Sequence, residues 1–284
     1  MSFNTRPLVM FTLLAGGLAG TAQAQLASPA QALLDNKFVF NLGGFVLGTD
    51  TSARLNGSSA SNPEVDFDQT FGHASDATRI RADALWRITP THHVRFLYFD
   101  NTVDRSRVID RDIKWGDYTF KAGGNVDSRV GLKIAELAYE YAFLRQPTYE
   151  VAGSIGVHYM DLSLRLSGTA TITNPDGTIR NAQLAVKENS VPVPLPVIGI
   201  RGGWVVAPQI YLDAQAQFFK ADIGSYNARV TDLRAGATWM FTRNFGLGLG
   251  YNHFRTTVDV NKDSFDGRVR FGYSGLQLFA TGTF

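Results

Sequence analysis

The sequence predicts an all-β transmembrane protein: an antiparallel up-and-down β-barrel of about ten strands, with eight or twelve as the alternatives. Three observations carry this reading. Side-chain polarity alternates with period two through most of the chain, short and long connections take turns, and tryptophans sit on the apolar faces just before the short turns. Period two places the two faces of a strand in different media, and turn lengths that alternate in this way describe a barrel with short turns at one end and long loops at the other.

Arg6 is the single charged side chain in residues 1–24, Leu8 to Leu18 is apolar, and Ala22-Gln23-Ala24 supplies a small-x-small cleavage site. This pattern predicts a signal peptide over 1–24 and a mature chain starting at Gln25. The apolar run falls short of the ~20 residues of a spanning helix. Residues 25–36 are then a short periplasmic segment and 37–284 the barrel domain.

The strands are predicted at 37–48, 77–88, 92–103, 132–144, 149–160, 197–206, 209–220, 230–241, 245–256 and 271–284. In the second, Ile80, Ala82, Ala84, Trp86 and Ile88 share one face and Arg79, Arg81, Asp83, Leu85 and Arg87 the other. In the fourth, Leu137, Tyr139, Tyr141 and Phe143 alternate with Glu136, Ala138, Glu140 and Ala142. Strands seven, eight and nine repeat the pattern, with Asp213, Asp232, Arg234 and Gly246, Gly248, Gly250 on the non-apolar side. Each segment is close to the 9–11 residues a tilted strand needs to cross a bilayer. Short connections fall at 89–91, 145–148, 207–208 and 242–244. Long polar ones fall near 49–76, 104–131, 161–196, 221–229 and 257–270. Asn174-Pro175-Asp176-Gly177 is a turn signal, so the third long connection is expected to contain its own hairpin, an extension of strands five and six. Val191 to Val206, the most apolar stretch of the mature chain, carries Pro192, Pro194 and Pro196, which excludes a helix.

Composition narrows the functional classes. The chain has 284 residues, 44% hydrophobic and 18% charged, no cysteine and a formal net charge of +2. Disorder, a disulfide framework, thiol chemistry and nucleic-acid binding all lack support. Trp86, Trp204 and Trp239 sit before short turns, with Phe143, Phe241 and Phe245 at the same level. Amphipathic aromatics at one height predict an interfacial girdle on a lipid-facing surface. Trp115 stands apart, in loop two.

The chain ends at Phe284, on one face with Leu276, Leu278, Ala280 and Gly282. This terminal strand, the segment from Arg79 to Phe143 with Asp112-Ile113-Lys114-Trp115-Gly116-Asp117, and Gly272-Tyr273-Ser274-Gly275-Leu276 resemble proteobacterial outer-membrane β-barrel proteins of the broad OmpA/OmpW-like kind. The resemblance implies location in the outer membrane of a Gram-negative cell envelope. It implies contact with outer-membrane lipids and lipopolysaccharide, and recognition of Phe284 by the barrel-insertion machinery. OmpW-type barrels have eight strands, so a count of ten departs from that pattern and weakens any transfer of their hydrophobic-channel role.

The candidate site is the lumen. Its polar face carries Arg79, Arg81, Arg87, Arg95 and Arg234 against Asp83, Glu136, Glu140, Asp213 and Asp232. Charges confined in a narrow bore must be paired or hydrated, so these are expected to plug it, with Arg79 and Arg81 seeking Asp83, Glu136 or Glu140. The alternatives are a narrow or porin-like channel for small solutes or hydrophobic compounds, and an adhesin acting through its loops. Small inward residues on strands five and nine (Ala152, Ser154, Gly156 and the three glycines) leave room for a small cavity. No catalytic residues, metal or cofactor are expected. His73-Ala74-Ser75 lies in a loop rather than on a strand. His92 and His93 fall at the short-turn end, and His253 with Asp259, Asp263 and Asp266 is ordinary loop composition. Asp66 with Asp68, and Asp110 with Asp112, have Ca²⁺-type spacing without a full ligand loop. Lys121, Arg165, Arg255, Arg268 and Arg270 are candidate contacts for lipopolysaccharide phosphates.

If the cleavage reading is right, N-terminal sequencing of membrane-extracted protein should begin at Gln25. Recovery of an intact Met1 would contradict it.

Overall fold

The computed structural model describes residues 28–54, 64–72, 76–115, 117–174, 176–223, 226–262 and 265–284. Ten long antiparallel strands form one closed sheet: β1 Phe38–Arg54, β2 Asp76–Arg87, β3 His92–Val108, β4 Asn125–Gln146, β5 Tyr149–Thr173, β6 Ile179–Ala207, β7 Ile210–Ile223, β8 Tyr226–Met240, β9 Phe245–Lys262 and β10 Phe265–Thr283. Each pairs with its neighbours in sequence. β1 closes the barrel on β10 along a ladder from Val39 opposite Thr283 to Arg54 opposite Arg268. Closure gives every strand a neighbour on both sides, as crossing hydrocarbon requires, although the β1–β2 and β6–β7 ladders stop early, at Gly44 opposite Ile80 and Ile198 opposite Phe218.

The apolar face points outward, as the alternation requires for a barrel in lipid. Leu278 is 67% and Val46 80% exposed, and Leu42, Ile80, Leu137, Ile155, Ile198, Leu249 and Leu276 share that outer face. Trp86, Phe143, Trp204, Trp239, Phe241, Phe245 and Phe284 are also exposed, all within a few residues of the short turns or the chain end. A belt of this kind sits at one membrane interface. From Trp239 to the first outward cation on β8, Arg229, is ten residues. At ~3.3 Å per residue and a tilt of ~40° this is about 25 Å, the height of a barrel's lipid-facing band.

The strands run further than the hydrophobic pattern marks. The long connections expected at 221–229 and 257–270 are mostly strand, because β7 pairs with β8 out to Ile223 and Tyr226, and β9 with β10 out to Lys262 and Phe265. Backbone ladders need no apolar side chains, so the sheet continues past the region where the sequence signal stops. β5 and β6 likewise form one hairpin, closed by Asn174 N–H to Thr178 O at 2.8 Å and Gly177 N–H to Asn174 O at 2.9 Å. Gly177 has φ +82°, a conformation that excludes most other residues. Within the second long connection, Ile113–Trp115 pairs with Tyr118–Phe120, and the latter with β5. There Lys121, by hydrogen bond, and then the Ala122 amide hold the Asp112 carboxyl below its ordinary range. The signal peptide and His73-Ala74-Ser75 lie outside the described residues.

Ala235 faces outward midway between Trp239 and Arg229. Ala235→Arg should lower the unfolding free energy in lipid vesicles by about 2–4 kcal/mol. Urea titration checks this, and an unchanged midpoint would mean that β8 does not face lipid.

Candidate functional site

The bore is filled at three levels, and each level follows from what the inward parity of the strands supplies. At the short-turn end lies a segment that sequence reasoning left as a plain linker. Pro29–Gln31 forms a 3₁₀ turn capped by Ser28, followed by the short helix α1, Ala32–Asp35. Ala30, Leu33 and Leu34 bury against Val39, Tyr211 and Met240. Two guanidinium groups hold the helix by its C-terminal carbonyls. Arg87 donates to Leu33 O at 2.7 Å and Asn36 O at 2.9 Å, and Arg145 donates to Leu34 O at 2.8 Å. Cations suit that end of a helix, where the last carbonyls lack partners.

The middle level is a lattice of ion pairs spanning the bore. Arg95 on β3 donates to Glu140 Oε1 at 2.8 Å, Glu136 Oε1 at 2.8 Å and Gln215 Oε1 at 2.7 Å. Glu140 on β4 shares its other oxygen with Arg201 on β6 at 2.9 Å, and Arg201 reaches Glu150 at 2.8 Å. Gln217 on β7 donates to Glu136 at 2.6 Å, and His158 Nε2 lies 3.1 Å from Glu136 Oε2. On the other side, Asp83 on β2 accepts from its neighbour Arg81 and from Arg234 on β8 at 2.9 Å. Arg234 lies 3.7 Å from Asp213. Arg81 continues to Asn252 at 3.0 Å, which donates to Asp232 at 2.6 Å and accepts from Tyr273 at 2.9 Å. These bonds join β2 to β8 and β3 to β7, nearly opposite walls of a ten-strand barrel, and also link β2 to β9 and β4 to β6 and β7, two or three strands away. Shared carboxylates and amide partners satisfy charges that would otherwise be costly away from bulk water.

The third level is apolar. Phe99 stacks on Tyr273 at 4.7 Å between ring centroids, Phe254 stacks on Tyr273 at 5.3 Å, and Phe45 meets Phe99 edge-on at 5.6 Å. Leu97, Leu132, Ile134, Met160, Leu162, Leu195 and Phe271 join the same cluster. It continues past the lipid-facing band to Ile109, Ile113, Trp115 and Phe120. The helix α2, Phe67–Phe71, roofs it with Phe67 and Phe71. Asp66 caps α2 at the Gln69 amide. Asp68 accepts from Thr49 Oγ1 at 2.8 Å and from the Thr51 amide at 2.6 Å, and pairs with Arg105.

Of the predicted lumen residues, Arg81, Asp83, Arg95, Glu136, Glu140, Asp213, Asp232 and Arg234 come together in the lattice, while Arg87 holds α1. Two expected pairings differ. Glu136 and Glu140 belong to Arg95 and Arg201 rather than to Arg79 or Arg81. Arg79 keeps a buried Nε without a hydrogen-bond partner among the described residues, because it stands one inward step further out, toward the apolar level. Arg201, Glu150, Gln215, Gln217, Asn252 and Tyr273 were missed. Parity was the available signal: Glu150 shares the face of Ala152 and Ser154, and Asn252 that of the three glycines. The cavity expected beside those glycines is mostly filled, since a Cβ at Gly248 would collide with the Phe279 ring, and a space of about 20 Å³ is left by Gly250 and Gln277. A further space of about 60 Å³ lies between α1 and the lattice, lined by Leu33, Asp83, Arg87, Arg95, Arg201 and Tyr211 among others, room for a few waters.

The other candidates resolve as protein contacts. His92 sits outside, against Tyr139 at 2.6 Å, and His93 lies in the bore 3.8 Å from Glu150. His253 bonds Ser274 at 2.7 Å, and Asp259 pairs with Arg268 rather than with a histidine. Among the described residues no group of three His, Asp or Glu side chains is placed to hold a metal ion. Of the cations proposed to meet phosphate, Lys121, Arg165, Arg268 and Arg270 are paired with Asp112, Glu188, Asp259 and Glu64.

No protein-family model and no curated protein matches the chain. Solved structures match it at the level of fold. The outer membrane protease OmpT from Escherichia coli aligns with a TM-score of 0.56 at 11% identity, over 88% of this chain and 97% of that one. The Pseudomonas putida toluene transporter TodX aligns at 0.38 and 8% identity, over 91% and 93%. The Yersinia pestis attachment invasion locus protein Ail aligns at 0.28 and 9%, over 85% and 97%. The architecture is thus that of outer-membrane β-barrels. An OmpA/OmpW-like assignment does not follow from these matches.

Glu140→Ala removes an acceptor from both Arg95 and Arg201. It should cost about 3–5 kcal/mol in vesicle unfolding, the scale for breaking a buried pair. A loss below about 1 kcal/mol, the surface-pair scale, would show the lattice to be hydrated and weak.

Proposed function

We propose that the protein is an integral outer-membrane barrel of structural role whose bore passes no solute in its resting form. The short turns and α1 face the periplasm and the long hairpins face outward. The observation that carries this reading is the unbroken filling of the bore: α1, then the Arg–carboxylate lattice, then the aromatic level under α2. A ten-strand barrel is only slightly wider than the eight-strand case that side chains fill, and here they do fill it. This disfavours the small-solute and hydrophobic-compound channel readings. The chemistry of the bore is stabilising rather than catalytic, because its carboxylates are engaged by guanidinium and amide partners. Insertion is proposed to proceed through the last strand and Phe284, with outer-membrane lipids and lipopolysaccharide as the surroundings.

One observation favours a second reading, surface binding through the hairpins. The β5–β6 hairpin runs on from Ile155 and Ile198, in the lipid-facing band, to a defined turn at Asn174–Thr178, braced on β5 by Tyr118–Phe120. Deleting that tip while leaving the barrel folded separates a surface-binding role from a structural one.

Reconstituted into planar bilayers, the parent protein should be electrically silent. Glu136→Ala combined with Glu140→Ala should show new, noisy conductance as Arg95 and Arg201 lose their partners. Large, steady, ohmic openings in the parent would overturn the sealed-bore reading.

A further inference from the structure

The barrel wall parts at the β6–β7 seam within the lipid-facing band. β6 and β7 pair from Ala207 opposite Ile210 only as far as Ile198 opposite Phe218. Beyond that point β6 continues on β5 and β7 continues on β8, so the two facing edges lose each other as partners. Pro194 and Pro196 lie on the β6 edge just past the break. They stand two residues apart and therefore turn their nitrogens to the same side, and the continuous ladder to β5 places that side toward β7. The prolines remove the donors that a closing ladder would use. At the β1–β2 seam, where pairing also stops early, at Gly44 opposite Ile80, β1 takes Val65–Asp66 as a partner further out, at Ala53 and Ser52, and Asp68 accepts from the Thr51 amide. The described residues supply no such partner between β6 and β7.

A mainly apolar groove of about 460 Å³ lies at the open seam, lined by Ile155, Pro196, Ile198 and Phe218 with Lys220 and Arg229 at its outer end. Lys220 and Arg229 are register partners on β7 and β8, and Arg255 on β9, directly opposite Thr231, lies diagonal to Arg229. Like charges set directly opposite repel, and among the described residues no carboxylate pairs with any of the three. The nearest acid along the outer face of β7, Asp222, accepts from Asn227. The cations stand about 25 Å from the Trp239 belt, at the outer limit of the band. The seam therefore combines an apolar slot at membrane depth, a backbone edge on β7 lacking its strand partner, and positive charge without a paired carboxylate directly above.

We infer that this seam is a lipid-docking site: a phosphate-bearing lipid of the outer leaflet lays one acyl chain in the groove and sets its phosphate against Lys220 and Arg229. The site does not depend on the bore being sealed. Of the cations chosen from sequence only Arg255 stands beside it, the other four being occupied by acidic neighbours. A phosphate at this position offsets the Lys220–Arg229 repulsion and accepts from the open β7 edge, and the acyl chain covers the gap in the wall.

The test is native mass spectrometry of the folded full-length chain extracted from phosphatidylcholine vesicles containing lipid A or its dephosphorylated form. The parent should retain one lipid A at least fivefold more than the dephosphorylated lipid. Lys220→Gln with Arg229→Gln should abolish that preference, whereas Lys133→Gln, an outward cation on β4, should not. Ile198→Trp, which fills the groove and leaves both cations in place, should lower retention of both lipids. Folding of each variant is checked by heat-dependent gel mobility. Equal retention of the two lipids by the parent, or an unchanged preference in the double variant, overturns the proposal.

Discussion

Glu140 holds the two halves of the lattice core together: one oxygen takes Arg95 from β3, the other takes Arg201 from β6. Where its strands pair, the barrel satisfies its backbone through the ladders, but its inward side chains have only one another and a few waters. Once the inward parity of β2, β3, β4 and β6 carries guanidinium groups, carboxylates must meet them across the bore. The amides Gln215, Gln217 and Asn252 then add bonds to Arg95, Glu136, Arg81 and Asp232. A lattice in which acceptors are shared among several donors is rigid, since moving one partner strands several others.

The other two levels depend on that middle one. α1 is too short to be stable alone and is held by Arg87 and Arg145. Arg145 also bonds Glu150 at 3.1 Å, so the cork is tied to the lattice through Glu150 and Arg201. On the far side Tyr273 joins the two regimes. Its hydroxyl donates to Asn252, and its ring stacks on Phe99 and Phe254. On this wall the transition from charged to dry interior therefore occurs within one side chain.

Fold class, strand number and strand facing were legible because lipid imposes period two on every strand over the same height, and Trp86, Trp204 and Trp239 mark one boundary of that height. The far ends of the strands were not legible. Outside the band the alternation loses its apolar member while the ladder continues, as in β9 and β10 out to Lys262 and Phe265. The apolar level of the bore was hidden for a different reason: β3 carries Phe96 and Tyr98 outward and Leu97 and Phe99 inward, so both faces read alike. The charged residues were found by type and parity, but pairings across the bore depend on which strands stand opposite, which no local pattern encodes. α1 was missed because its two turns offer only Ser28 and Pro29 as start signals, and its stability comes from Arg87 and Arg145, distant in sequence.

Access to the bore tests the central claim most directly. The chain has no cysteine, so a single thiol reports without background. Ala152 is fully buried on the inner face of β5, and Ala152→Cys changes little volume. In folded, reconstituted protein this thiol should resist a membrane-impermeant maleimide and react fully after heat denaturation, while Thr178→Cys at the hairpin turn reacts at once. Labelling of Ala152→Cys at the rate of Thr178→Cys in the folded state would contradict a sealed interior.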